Sequence, residues 1–278
     1  MKNSTNLPDS YHRHALGQHF LVHSNTAYWI ARQAGVTARD LVIEIGPGRG
    51  ILTNALSETG ARIIAIEKDK ELCKYLKKHF IKQTHVTILE GDATRFQWET
   101  LSDKKHPAIL VGNLPYNVST QILWHLLTQT HIFKKWQFLF QKEVAERICA
   151  KVGSSSYGAL SVFVQSVTRP TLIRIFPPNF FTPPPKVDSA LVSFEMIQME
   201  GMSHMHKRPL VEIVKSAFSH RRKMLRNNLK YLFDGNVTAM ERLLKSVGIE
   251  GTCRAQDLSV EDYLRLANAM ADLKQTIE

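Results

Sequence analysis

Asn113, Leu114, Pro115 and Tyr116 stand in succession directly after a short run of aliphatic residues. Together they bring a side-chain amide acceptor, a constrained turn and an aromatic face to one place. That set suits a nucleobase amine. The exocyclic amino group of adenine is a poor nucleophile because its lone pair is delocalised into the ring. Two acceptors that bind its hydrogens draw the nitrogen toward tetrahedral geometry. The Asn113 side-chain oxygen is one such acceptor, and a backbone carbonyl at Leu114 or Pro115 is the other, turned inward by the proline ring. Tyr116 is placed to stack on the base and to stabilise positive charge developing there, worth about 1 kcal/mol or more when desolvated. No general base is needed, since an amine made cationic by alkylation sheds its proton to water, and alignment and electrostatics carry the acceleration.

A second constellation suits a nucleoside. Residues 44–50 read Glu-Ile-Gly-Pro-Gly-Arg-Gly, and glycines such as Gly46 and Gly48 let a backbone turn sharply and touch a ligand. A dinucleotide is the competing ligand, but the spacing is G-x-G-x-G, whereas a pyrophosphate-cradling turn prefers G-x-G-x-x-G. Glu67, 17 positions after Gly50, ends the next strand-like run, where a carboxylate accepts hydrogen bonds from both ribose hydroxyls. Asp92 follows Gly91 at the end of a third run, as an acceptor for the amino group of a bound adenine. Gly46, Glu67, Asp92 and Asn113 thus fall at the ends of four successive strands, the edge where open α/β sheets hold ligands.

The elements that position them alternate. Strand-like runs over residues 41–45, 62–67, 86–90, 108–111 and 136–140 are separated by helical patterns, which predicts parallel strands with crossover helices. Two further strands, 171–176 and 190–196, are separated by Pro177, Pro178, Pro183, Pro184 and Pro185, and fit an antiparallel edge. That gives seven strands. Helices are expected over 51–59, ending at Gly60, and from Asp69 to about Phe80, while 157–167 is ambiguous between helix and strand. Beyond Gly201 only helices are expected, over 210–218, 224–233, 238–247 and 259–273, with a capping box at Ser259 and Asp262 and a stop at Gly248. The expected division is a sheet domain over residues 1–200 and a small all-α domain over 201–278.

Composition restricts the classes. The chain has 278 residues, 44% hydrophobic and 22% charged, with no apolar run long enough to span a bilayer. Its N-terminus lacks a secretory pattern, so the cytoplasm is expected. Cys73, Cys149 and Cys253 lie far apart with no C-x-x-C pair, and no metal site is expected. The net charge of +11 points to a polyanionic partner. Residues 201–234 hold eight Lys or Arg against two acids, which favours nucleic acid over a membrane surface.

Gln18, His19, Phe20 and Leu21, the 44–50 turn, Gly91 and Asp92, Asn113 to Tyr116, and Phe180 to Ser189 together resemble the ribosomal RNA adenine dimethyltransferase family over essentially the whole chain. The resemblance implies an α/β fold: a seven-stranded Rossmann-like S-adenosylmethionine-dependent methyltransferase sheet with a small C-terminal all-α domain. It implies dimethylation at N6 of two adjacent adenines in a hairpin near the 3′ end of 16S ribosomal RNA, by a monomer acting in assembly of the small subunit. It also implies cofactor contacts at His19, Leu21, Gly46, Gly48, Glu67, Asp92 and Asn113. His19 departs from the asparagine that many members carry. Phe181, immediately before the proline run, is expected as a second aromatic wall opposite Tyr116, with Phe180 the alternative. Residues 218–225 resemble the branch acting on small-subunit RNA, in which Arg221, Arg222, Lys223 and Arg226 clamp phosphates and Lys186 adds to that surface. A large-subunit RNA methyltransferase of the same family is the nearest competing reading.

Overall fold

The structure is a computed structural model and describes residues 18–103, 105–197 and 207–277. In chain order its elements are β1 (Phe20–Leu21), α1 (Ser24–Ala34), β2 (Leu41–Ile45), α2 (Ile51–Ser57), β3 (Arg62–Glu67), α3 (Lys70–His79), β4 (Val86–Glu90), β5 (Ala108–Asn113), α4 (Ser119–Leu127), β6 (Phe133–Gln141), α5 (Lys142–Ile148), α6 (Ala159–Gln165), β7 (Thr168–Phe176), β8 (Phe181–Thr182), β9 (Ser189–Met196), α7 (Lys207–Ala217), α8 (Leu225–Leu229), α9 (Val237–Ser246) and α10 (Val260–Ile277). Seven strands form one sheet in the order β4-β3-β2-β5-β6-β9-β7, and β1 pairs with β8 separately. Strands β2 to β6 are parallel, and β9 runs antiparallel to β6. This is the expected seven-stranded α/β architecture.

The central strands read as unbroken apolar runs because helices cover both faces of a parallel sheet. Val42, Ile43, Ile45, Ile63, Ile66, Leu110 and Val111 are all essentially buried. Helix α1 presents Ala27, Ile30, Ala31 and Ala34 on one stripe and is closed by Gly35 in the left-handed region (φ 68°). Asp69 caps α3, its carboxylate accepting from the amides of Glu71 and Leu72. The ambiguous run at 157–167 resolves as helix α6. The expected 224–233 helix is α8 followed by a 3-10 turn over Lys230–Phe233.

Strand order reverses between β2 and β5, the switch point at which open α/β sheets leave a crevice beyond the strand ends. The two strands lie close there. A Cβ on Gly112 of β5 would stand 2.6 Å from the Ile45 carbonyl oxygen of β2.

The chain divides into two compact units, and the division departs from the expected 1–200 and 201–278. One unit comprises the described residues of Met1–Ala145 with Thr171–Met196; the other comprises those of Glu146–Pro170 with Ile197–Glu278. The reason is burial. Helix α6 carries Leu160, Val162, Phe163 and Val164 into contact with α7 and α10, so this stretch belongs to the helical unit despite its place in the sequence. Within that unit the capping box forms as expected: Ser259 N–H donates to Asp262 Oδ2 (2.8 Å), and Asp262 N–H donates to Ser259 Oγ (3.1 Å).

Substitution Gly112→Ala forces backbone apart at the switch point. It should cost about 1–3 kcal/mol, read as a melting temperature lowered by several degrees in a thermal scan.

Candidate active site

The ends of β2 to β5 assemble the site. Gly46, Gly48 and Gly50 all adopt left-handed conformations (φ 68°, 58° and 81°), and the Gly50 amide donates to the Pro47 carbonyl to close the loop (2.9 Å). Gly48 is required twice over, because a Cβ there would also stand 2.6 Å from the Phe20 ring. Glu67 holds this loop from beneath. Gly48 N–H donates to its Oε2 (3.1 Å) and Asp69 N–H to its Oε1 (2.9 Å). Burial pushes the Glu67 carboxyl up, opposed by these amides. The residue read from sequence as a ribose acceptor is thus also the clamp between the glycine loop and the start of α3. Each carboxylate oxygen retains a second acceptor position.

Asp92 is held differently. Burial alone would raise its carboxyl, but the Lys68 ammonium at 2.9 Å and the hydroxyl and amide of Thr94 (2.7 and 3.0 Å) outweigh it and hold the group down at about 2. It is a fixed anion, beside a hollow of about 410 Å³ framed by Phe96. Glu44, which the sequence reading placed only within the loop motif, is the contrasting carboxyl. It is 1% exposed and its Oε2 has no partner. Burial, with the charge of Glu67 adding to it, pushes its carboxyl up to about 8, so it carries a proton at neutral pH. An acid embedded in the otherwise aliphatic β2 is the signal that could have singled it out.

Asn113 ends β5. Its Nδ2 donates to the His19 backbone carbonyl at 2.5 Å, and its Oδ1 is buried with no partner. The assignment of nitrogen and oxygen is dictated by chemistry, because a carbonyl only accepts. Asn113 lines a small chamber together with Leu21, Glu44, Gly46 and Pro47. Pro115 uses its own carbonyl to accept from Val118 N–H (3.1 Å), shaping the turn into α4. Of the two carbonyls left open by the sequence, that of Leu114 has no turn partner among the described residues.

Tyr116 sits beside His19, ring centroids 5.1 Å apart at 37°. Its hydroxyl is hydrogen-bonded to Ser189 Oγ. Burial pushes the phenol up to about 12 against that bond, so the ring is neutral. His19 Nδ1 donates to the Pro183 carbonyl (2.7 Å). The ladder of β1 with β8, which pairs Phe20 with Thr182 and Leu21 with Phe181, fixes the 18–21 segment against the proline run.

That ladder also places the expected second aromatic. Phe181 is 3% exposed and packs in the core with Leu21, Ile30 and Leu191, while Phe180 lies edge-on to Phe176 and His23. The ring 5.1 Å from Tyr116 is that of His19, and the register that buries Leu21 buries its partner Phe181 as well. Leu21, read as a cofactor contact, lines the chamber from that core. Among the basic residues, Arg221 is exposed and its Nη2 donates to the Ser155 and Tyr157 carbonyls (2.8 and 2.7 Å). Arg222, Lys223 and Arg226 are exposed in the helical unit, and Lys186 is exposed in the sheet unit.

These residues fit a nucleoside-bearing cofactor. A buried amide oxygen and a buried carboxyl oxygen lack partners around one chamber, three glycines keep the loop bare, and a second hollow lies beyond Glu67 at Asp92. Among the described residues no cluster of three metal-ligating side chains occurs, and no helix is long and apolar enough to cross a membrane.

Glu44 yields a pH signature. A folded-state value above the unfolded one means that the folded chain holds the extra proton. The associated stability is complete below about pH 4.5 and is lost as pH rises through about 8. Glu44→Gln removes this dependence. Denaturant midpoints measured from pH 5 to 8.5 should show the wild type losing stability relative to Glu44→Gln, with a limiting slope of about 1.4 kcal/mol per pH unit; parallel curves would place the proton elsewhere.

The family described as ribosomal RNA adenine dimethylase matches residues 10–272. A Ribosomal RNA small subunit methyltransferase A of Saccharophagus degradans is 37% identical over 272 residues, covering 97% of this chain and 99% of the relative. One from Pseudomonas syringae pv. tomato is 36% identical over 94% of this chain and 95% of its own. The crystal structure of a dimethyladenosine transferase from Plasmodium falciparum superposes with a TM-score of 0.78 at 25% identity, covering 89% of this chain and 96% of that one. With the glycine loop, the strand-end acids and the Asn-Leu-Pro-Tyr turn where such a site needs them, the chain belongs to the ribosomal RNA adenine dimethylase family.

Proposed function

We propose that the chain transfers methyl groups to N6 of two adjacent adenines in the 3′-terminal hairpin of 16S ribosomal RNA, giving dimethyladenosines during assembly of the small subunit. The observation that carries the reading is the unpartnered Asn113 Oδ1, its amide orientation fixed by the carbonyl of His19, whose ring lies 5.1 Å from that of Tyr116. The cofactor is S-adenosylmethionine, which supplies a methyl carbon made electrophilic by the adjacent sulfonium. Glu67 would orient the ribose and Asp92 would meet the adenine amino group.

The protein's own part is positional. Asn113 Oδ1 and the Leu114 carbonyl accept the two hydrogens of the target amine, so its lone pair points away from the base plane. Tyr116 stacks on that base, and the neutral phenol ring stabilises the charge it acquires. None of the nearby carboxyls is a free base: Glu44 is protonated, Glu67 is held by two amides and Asp92 by Lys68 and Thr94. The surplus proton therefore passes to water. Arg222, Lys223, Arg226 and Lys186 contact phosphates and set the position of the hairpin. The enzyme acts as a monomer in the cytoplasm.

Incubation with labelled cofactor and small subunits lacking the modification, followed by nucleoside analysis and mapping, tests this directly. Dimethyladenosine at two neighbouring positions near the 3′ end is expected; product confined to large-subunit RNA would overturn the reading. Asn113→Ala should lower the single-turnover rate by about 10²–10³. Tyr116→Phe keeps the ring and should stay within about tenfold of wild type, losing about 1 kcal/mol of stability with the Ser189 bond. Tyr116→Ala should fall well below it. Equal losses in both tyrosine variants would assign the role to the hydroxyl.

A further inference from the structure

Residues 221–233 carry five cations and no acid, and the structure sorts them. Arg221 donates from Nη2 to the carbonyls of Ser155 and Tyr157. Leu225, Asn228 and Leu229 are buried, and Asn228 Nδ2 donates to the carbonyls of Ala217 (2.6 Å) and His220 (3.1 Å), which anchors the segment. Beside Arg221, what faces outward is Arg222, Lys223, Arg226, Asn227, Lys230 and Tyr231. The pairs 226–227 and 230–231 are four residues apart and so share one side. Among the described residues none of these four cations is in an ion pair.

Tyr231 is the unexpected member. At 69% exposure it is the most exposed aromatic among the described residues. Core packing does not explain it, and its hydroxyl has no described partner. Its position is nevertheless defined: it lies in the Lys230–Phe233 turn, closed by Gly235 N–H donating to the Lys230 carbonyl (3.2 Å) after Asp234 in the left-handed region (φ 48°). Lys230 Nζ lies 5.0 Å from the ring centroid. An aromatic face in water, bordered by unpaired cations, is the arrangement by which proteins hold an unpaired base between a ring and phosphate contacts.

We propose that Tyr231 is a stacking platform for one unpaired base of the RNA substrate, with Lys230 and Arg226 gripping the phosphates beside it. This rests on the RNA reading above and adds a contact within the helical unit. A membrane surface is disfavoured by the same geometry. Leu225 and Leu229 point inward and Leu232 and Phe233 are half-buried, so a single ring would have to supply the inserted surface.

The test is equilibrium binding of a fluorescent single-stranded oligoribonucleotide to the full chain, run beside methyl transfer to small subunits. Tyr231→Ala should weaken oligonucleotide binding about tenfold, within the range of one lost stack, and raise KM for the subunit, with the loss absent from kcat. Tyr231→Phe should match wild type. Lys230→Ala should reduce the salt dependence by about one counterion. Unchanged RNA affinity in Tyr231→Ala overturns the proposal, as does a Tyr231→Phe defect equal to that of alanine. Tyr231-dependent binding of phosphatidylserine vesicles with unaltered RNA binding would also overturn it. Tyr231-dependent RNA binding without transfer by the wild type would instead strike the proposed reaction and leave this contact standing.

Discussion

The His19 carbonyl accepts hydrogen bonds and cannot give them, so the side chain of Asn113 meets it with nitrogen and must leave its oxygen bare. A buried amide oxygen without a partner typically costs about 1–3 kcal/mol. The fold sustains that cost at the end of β5. Much of the surrounding structure serves to keep the contact in place. The ladder between β1 and β8 positions His19, the Pro183 carbonyl fixes its ring, and Ser189 fixes the hydroxyl of Tyr116 next to it. Three segments far apart in sequence are thereby locked around one acceptor.

The carboxyls along the same edge sit in three different electrostatic environments. Glu44 is enclosed without a cation and stays protonated; Glu67 is enclosed but given backbone amides; Asp92 is given Lys68 and is firmly ionised. A neutral acid, a structural acceptor and a fixed anion can recognise different ends of one ligand. None competes for the proton released when an amine is alkylated, which is consistent with catalysis by alignment and not by proton transfer.

Much of this was legible in the residues. Parallel strands buried on both faces write themselves as unbroken aliphatic runs, and the G-x-G-x-G turn and strand-end acids fall at fixed offsets from them. What was not legible depends on long-range geometry. Helix α1 has its apolar stripe and its Gly35 cap, yet no element was assigned to residues 24–34. The 18–21 segment acquires its role only by pairing with residues about 160 positions away. Which of the two adjacent phenylalanines pairs with Leu21 is likewise set by the ladder and not by the local sequence. Arg221 looked like its neighbours in a basic run, and only the fold brings the Ser155 and Tyr157 carbonyls to it. Helix α6 likewise joined the helical unit through buried contacts that a linear boundary does not reveal.

The central claim concerns one oxygen atom, and a structure of the chain with a non-transferable cofactor analogue and the RNA hairpin tests it most directly. The account predicts Asn113 Oδ1 at about 2.7–3.2 Å from N6 of the target adenine, with Nδ2 still donating to the His19 carbonyl. An amide rotated away from His19, or an N6 held by other acceptors with Oδ1 beyond about 3.5 Å, would contradict it.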